Sequence, residues 1–160
     1  SEGDVFGNLL AILCGAVDGD AGLRIVKTLQ AAHAADPYPI RVVLHPLSRA
    51  HELWRPYMGR HQQNEPHQYH NGGIWPFVGG FWVLALLRLG LRDAARQALQ
   101  QLAAVNALDD WRFTEWLHGR TLAPMGMAGQ SWNAATFLLA RRAAAGTGAR
   151  LGVDLLASTG

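Results

Sequence analysis

The chain has 160 residues, 49% of them hydrophobic, which is the size of one ordinary domain with apolar side chains enough for a substantial core and excludes a disordered chain. A formal net charge of +2 arises from 14 basic and 12 acidic residues, and the arginines are scattered rather than striped, which argues against a nucleic-acid footprint. Cys14 is alone, so no internal disulfide can form, and its apolar surroundings predict a small buried hydrophobe.

In chain order, Asp4 can cap a helix over about residues 5–17 that is apolar on nearly every side, so neighbours must enclose it. A second helix, about residues 21–34, sets Leu23, Val26 and Leu29 against Arg24, Lys27, Thr28 and Gln30. The segment from Asp36 to Gly73 is punctuated by Pro37, Pro39, Pro46, Pro56 and Pro66, and only Ile40 to Leu44 reads as a strand. A connection this long within one domain is usually functional. The third helix, about residues 75–89, begins with Pro76 in its first turn, is apolar all round and ends at Gly90. Its apolar run, Ile74 to Leu87, carries Pro76, Gly79 and Gly80 and falls short of the roughly 20 residues a bilayer demands. A fourth helix, about residues 93–106, is amphipathic. An aromatic loop, Leu108 to Gly129, leads to a fifth helix, about residues 130–145, which is largely apolar again. Residues 146–160, with Gly146, Gly148 and Gly152 among them, read as a tail.

Enclosed and amphipathic helices therefore alternate, which predicts an all-α fold in two layers. In a double-layered ring the inner helices run the same way, so Asp4, the segment from His70 to Trp75 and the segment from Glu115 to Trp132 gather at one mouth. Three inner helices cannot close such a ring, because packed axes stand about 8–10 Å apart and some six are required. The chain is thus expected to be about half of a ring, completed by a missing amino-terminal half or by a second copy. No signal-peptide pattern opens the chain, and residue 1 reads as the middle of something.

Glu115 stands among aromatics in Trp111-Arg112-Phe113-Thr114-Glu115-Trp116-Leu117-His118-Gly119, where a carboxylate can act as a general base that activates water. A helix cap or an ion-paired glutamate is the alternative. Trp75, Trp116 and Trp132 are best explained together, as indoles on which sugar rings stack. His70, Asn71 and Gln130 can hydrogen-bond hydroxyls, and Gly72 supplies a permissive backbone. Asn71 and Gln130 could equally be helix caps. His51, His61, His67 and His70 invite a metal, but Pro66 and Gly72 place them in a loop and no Cys or paired acid completes a set, so neither metal nor cofactor is expected.

Three blocks carry a family resemblance: Tyr-His-Asn-Gly-Gly-Ile-Trp-Pro at 69–76, Glu-Trp-Leu-His-Gly-Arg-Thr at 115–121 and Gly-Gln-Ser-Trp-Asn-Ala-Ala at 129–135. They resemble the carboxy-terminal half of bacterial amylo-alpha-1,6-glucosidase proteins of the glycogen debranching type. They are similar, more distantly, to neutral/alkaline invertases, where Tyr-Tyr-Asp stands at the place of Trp116-Leu117-His118. The resemblance implies about half of an (α/α)6 toroid over residues 1–145, belonging to a glycoside hydrolase of α-glucosidic bonds. It implies an inverting mechanism with Glu115 as base and an aspartate acid outside this chain, which would then be inactive alone. It further implies an oligosaccharide or α-glucoside as partner, with neither nucleic acid nor membrane, and a cytoplasmic location. A silent sugar-binding module and a structural half-ring for oligomerisation are the rival readings.

Overall fold

Five long helices, two short helical segments at Pro56–Gln62 and Leu108–Trp111, and one ragged ribbon of extended backbone lie within residues 3–146, the part that the computed structural model describes. Helix α1 (Val5–Leu13) starts where the Asp4 carboxylate accepts the Gly7 N–H at 3.2 Å. Helix α2 (Gly19–Ala31) starts where Asp18 accepts the Ala21 N–H at 2.6 Å. Helix α3 (Pro76–Arg88) has its proline at the first helical position, where no N–H is missed. Helix α4 (Arg92–Asn106) follows directly, and helix α5 (Ser131–Ala144) begins after Gln130. These are the five helices that periodicity predicts, and the fold is all-α.

Helix α1 stops at Leu13 rather than near residue 17. Gly15, at φ 70°, ends it with N–H bonds from Gly15 to Ile12 and from Ala16 to Ala11, a Schellman closure. Cys14 therefore lies past the last helical turn and is exposed, which corrects the expectation that it is buried.

Helix α3 is the hub. It packs on α1, α4 and α5, while α2 packs on α1 and α4 also touches α5. A crevice of about 220 Å³ is lined by Gln30 of α2, His33 just after it, Trp82 and Leu86 of α3, and Ala94, Gln97, Ala98 and Gln101 of α4. Both amphipathic helices thus back the same side of α3. The core joins Leu9 and Ile12, Val26 and Leu29, Val78, Trp82, Val83 and Leu86, and Ala98, Leu102 and Val105. Only α3 is enclosed as expected. On α1 and α5 one apolar flank stays open, with Leu10 37%, Leu138 52% and Leu139 40% exposed, because no described residue covers the two ends of the arc α1, α3, α5.

The ribbon crosses the helix starts. Val5 N–H bonds Val42 O at 3.0 Å, Val42 N–H bonds Gly73 O at 3.1 Å, Trp75 N–H bonds Ile40 O at 3.1 Å, and Ile74 and Leu117 exchange two bonds of 2.8 Å. A pair of two-residue strands, β1 (Trp116–Leu117) and β2 (Pro124–Met125), extends it, with Trp116 opposite Met125 and Leu117 opposite Pro124 in antiparallel register. The sequence reading treats this pair as plain loop, since two residues carry no period. Asn133 Nδ2 donates to Thr114 O at 2.6 Å and ties the start of α5 to the same ribbon. The three helices α1, α3 and α5 consequently leave one shared edge in the same sense. Of the expected tail, residues 147–160 lie outside the described residues.

Candidate active site

Glu115 is held by the hairpin that follows it. Its N–H bonds Met127 O at 2.8 Å and its Oε2 accepts the Met127 N–H at 3.0 Å. Gly126, at φ 73°, lies so close that a Cβ there would run into Glu115 Oε2 and stand 2.9 Å from Glu115 Cβ. The other carboxylate oxygen bonds none of the described residues, so a half-buried carboxylate is fixed at one oxygen and open at the other. It is neither a helix cap nor half of an ion pair.

His70 lies near enough to this carboxylate for its charge to act on the ring. Burial depresses its pKa, and the nearby Glu115 charge acts in the opposite direction. Its ring stacks on Trp75, with centroids 5.1 Å apart and planes at 7°, and also meets Tyr69 at 4.1 Å. Trp75 Nε1–H donates to Tyr69 O at 3.0 Å, which locks the indole. Tyr69 meets Trp116 at 5.8 Å, and Phe77 links Trp75 to Trp132 through two contacts of 5.9 Å. The structure thus joins His70, Trp75, Trp116 and Trp132 in one aromatic surface beside Glu115.

Exposure separates their roles. Trp132 is 45% exposed, whereas Trp75 at 3% and Trp116 at 5% form the floor, with one face of Trp75 covered by His70. Trp75 and Trp116 offer no open face for a sugar, which corrects the expectation of three stacking indoles. Gln130 sits at the start of α5 without a side-chain capping bond, so of its two expected roles the cap is excluded.

Asn71 is not a hydroxyl reader. Its Nδ2 donates to Leu47 O and Asn64 O, both at 2.9 Å, and its Oδ1 accepts the Leu47 N–H at 2.8 Å, so a 3% exposed amide is wholly used in folding the long loop. Gly72, at φ 94°, lies under that loop, where a Cβ would come within 2.5 Å of Pro46 Cγ. It too is structural rather than substrate-facing. Replacing Asn71 by Ala strands three loop backbone groups. It is expected to lower unfolding free energy by about 2 kcal/mol, read as a shifted denaturant midpoint, without a specific rise in KM.

The alkaline and neutral invertase family profile matches residues 5–145. The chain belongs to that family. Among relatives, Neutral/alkaline invertase 1, mitochondrial, of Oryza sativa subsp. japonica is 32% identical over 89 residues, 55% of this chain and 14% of the relative. Alkaline/neutral invertase E, chloroplastic, of Arabidopsis thaliana is 26% identical over 138 residues, 84% of this chain and 22% of the relative. Cytosolic invertase 1 of Oryza sativa subsp. japonica is 25% identical over 138 residues, 84% of this chain and 24% of the relative. The chain therefore spans less than a quarter of the length of these three. The more distant of the two motif resemblances is the one this match supports, and the three relatives named are plant invertases.

In this member of the alkaline and neutral invertase family, no three His, Cys, Asp or Glu side chains among the described residues come together as metal ligands. No helix among the described residues is long and apolar enough to cross a membrane. The sequence reading missed Gly126 and Met127, which hold the carboxylate. The only signal for them is the Met125-Gly126-Met127 run, which reads as an ordinary turn.

Three imidazoles give a pH prediction. Burial first, then Arg120, the neighbouring His118 and Arg41, push the pKa of His67 down. Burial and then Arg120 do the same to His118, and burial does so to His70. The unfolded chain takes up protons near the ordinary value of about 6.5 while the folded chain resists them, so stability is present above that pH and is lost as the pH falls through it. Melting temperature is expected to drop between about pH 7 and pH 5.5, and His67→Asn should flatten the slope. A rise on acidification would contradict the burial argument.

Proposed function

We propose that these residues are the carboxy-terminal part of the catalytic domain of a glycoside hydrolase that cleaves an α-glucosidic bond with inversion. One observation carries the reading: a carboxylate fixed by Met127 N–H and open at its second oxygen stands beside His70 on the edge where α1, α3 and α5 begin. Glu115 takes a proton from water as the water oxygen bonds to the anomeric carbon. The bond from that carbon to the glycosidic oxygen breaks, and the oxygen is protonated by an acid outside this chain. Trp132 offers its indole face to a sugar ring, and His70 and Gln130 offer hydrogen bonds to hydroxyls.

An (α/α)6 toroid fits this reading, since the open flanks of α1 and α5 are where further helices or a second copy would pack. Isolated, the chain lacks the acid and is inactive. A cytoplasmic location accords with the name of the rice cytosolic relative.

A finer reading concerns substrate. Where the invertases resembled have Tyr-Tyr-Asp, this chain has Trp116 and Leu117, both buried, and His118, which is turned towards His67. With those hydroxyls and that carboxylate gone, an α-1,6-linked glucose is favoured over sucrose. The test is to offer the complete protein sucrose, isomaltose and maltooligosaccharides and to follow the anomeric protons by NMR. Inversion predicts β-glucose as the first product from an α-glucoside, and turnover of isomaltose above sucrose supports the finer reading. First release of α-glucose, or no hydrolysis of any of them, would overturn the proposal.

A further inference from the structure

A cluster of basic side chains around His67 and His118 has no acid among the groups that act on its rings. The turn at 118–120 is pinned to the segment around His67: Gly119 N–H bonds His67 O and His67 N–H bonds Asn71 O, both at 2.8 Å. The rings of His67 and His118 stand 6.2 Å apart. Arg41 pairs across the ribbon with Ile74, which pairs in turn with Leu117, so it arrives from the other side of the same three segments. Both Arg41 and Arg120 lie near enough to His67 to act on its charge, and no carboxylate appears among the groups that act on either ring.

Arg41 gives one guanidinium N–H to His33 O, and the other donors of the cluster are unspent. Arg41 Nε and His67 Nδ1 are buried without a hydrogen-bond partner among the described residues, a costly state for polar nitrogens. His118 Nδ1 accepts the N–H groups of Arg120 and Thr121 at 3.2 Å each, which leaves the proton of the neutral ring on Nε2 as a donor. Arg120 is exposed, and its guanidinium bonds none of the described residues.

We propose that Arg41, His67, His118 and Arg120 form an oxyanion site for a phosphate group, either free phosphate or the phosphate monoester of a sugar. The free fork of Arg120, the Nε–H of Arg41 and two imidazole N–H groups suit a tetrahedral dianion, with arginine able to grip two oxygens at once. An anion there would satisfy both buried nitrogens and neutralise a patch that otherwise repels itself. The site is separate from the hydrolytic reading and stands or falls without it.

The test is a titration of the full chain with inorganic phosphate, followed by calorimetry and by the imidazole NMR resonances. One saturable event is expected, moving the signals of His67 and His118 and leaving those of the exposed His51 and His61 in place. Arg120→Ala, at an exposed position, should weaken binding at least about tenfold. Arg96→Ala, on the outer face of α4 beside Asp93, should leave it unchanged. Glucose 6-phosphate in place of phosphate identifies the source: tighter binding marks a sugar phosphate, equal binding free phosphate, and either supports the site. No saturable binding of phosphate, equal weakening in both variants, or a shift of the same resonances by glucose alone would overturn it.

Discussion

Glu115→Gln in the complete protein is expected to lower kcat on α-glucosides by about 10³-fold or more while leaving the melting temperature nearly unchanged. The amide keeps the shape, and its oxygen can still accept the Met127 N–H, so the hairpin closes as before. What it loses is the ability to take a proton from water, and Asp4, the carboxylate at the start of α1, is engaged at one oxygen in capping that helix through the Gly7 N–H. Azide added to the variant, acting as a nucleophile that needs no base, should restore part of the rate. Retention of turnover within a few-fold of wild type would remove Glu115 from the reaction.

Gly126→Ala probes the same group from outside. At φ 73°, a methyl there would meet Glu115 Oε2 and also crowd Glu115 Cβ and Trp116 Cδ1, both at 2.9 Å, so it displaces the root of the side chain as well as its end. A loss of about 10²-fold in kcat is expected from misplacing the base, with a smaller fall in stability from the left-handed alanine and the crowding against Trp116. Equal falls in kcat and stability would instead mean that the hairpin itself had come apart.

How far the sequence reaches follows from the range of the interactions involved. Helix starts and stops are local: Asp4, Asp18, Pro76 and Gly90 act within a turn or two of their own positions, and the helices are legible from them. Asn71 is different, because its partners at Leu47 lie 24 residues away and nothing in its neighbours shows which way the amide turns. The grip on Glu115 spans 12 residues through a two-residue strand pair, too short for any period. Cys14 went astray for a local reason, since Gly15 outweighs the apolar residues that continue the pattern after it. The shared edge was expected from a double-layered arrangement, although only α3 is enclosed as that arrangement requires. Which indole would remain open was not legible, because burial of Trp75 depends on a histidine ring laid across it.

Gly80→Leu is expected to cost at least about 3 kcal/mol and to leave much of the chain unfolded at 37 °C, given total stabilities of about 5–15 kcal/mol. Glycine inside a helix is itself unfavourable by roughly 1 kcal/mol against alanine, so its presence in α3 calls for a reason. Here a Cβ would stand 2.6 Å from Thr136 Cβ and 2.9 Å from Thr136 O, so α3 and α5 touch backbone to backbone at this point. Thr136 cannot retreat, because its Oγ1 donates to Trp132 O at 3.0 Å within the first turns of α5. Widening the contact would move the start of α5, and with it Asn133, whose Nδ2 holds Thr114 O next to Glu115. Gly80→Ala, which forces a smaller separation, should therefore fold less stably than wild type and also lose kcat. Gly19→Ala, with nothing within 4 Å, should change neither. Chemical denaturation and steady-state rates measured on the same preparations of the complete protein check both halves of this argument. An unchanged kcat in a folded but destabilised Gly80→Ala variant would show that the spacing of α3 and α5 serves stability alone.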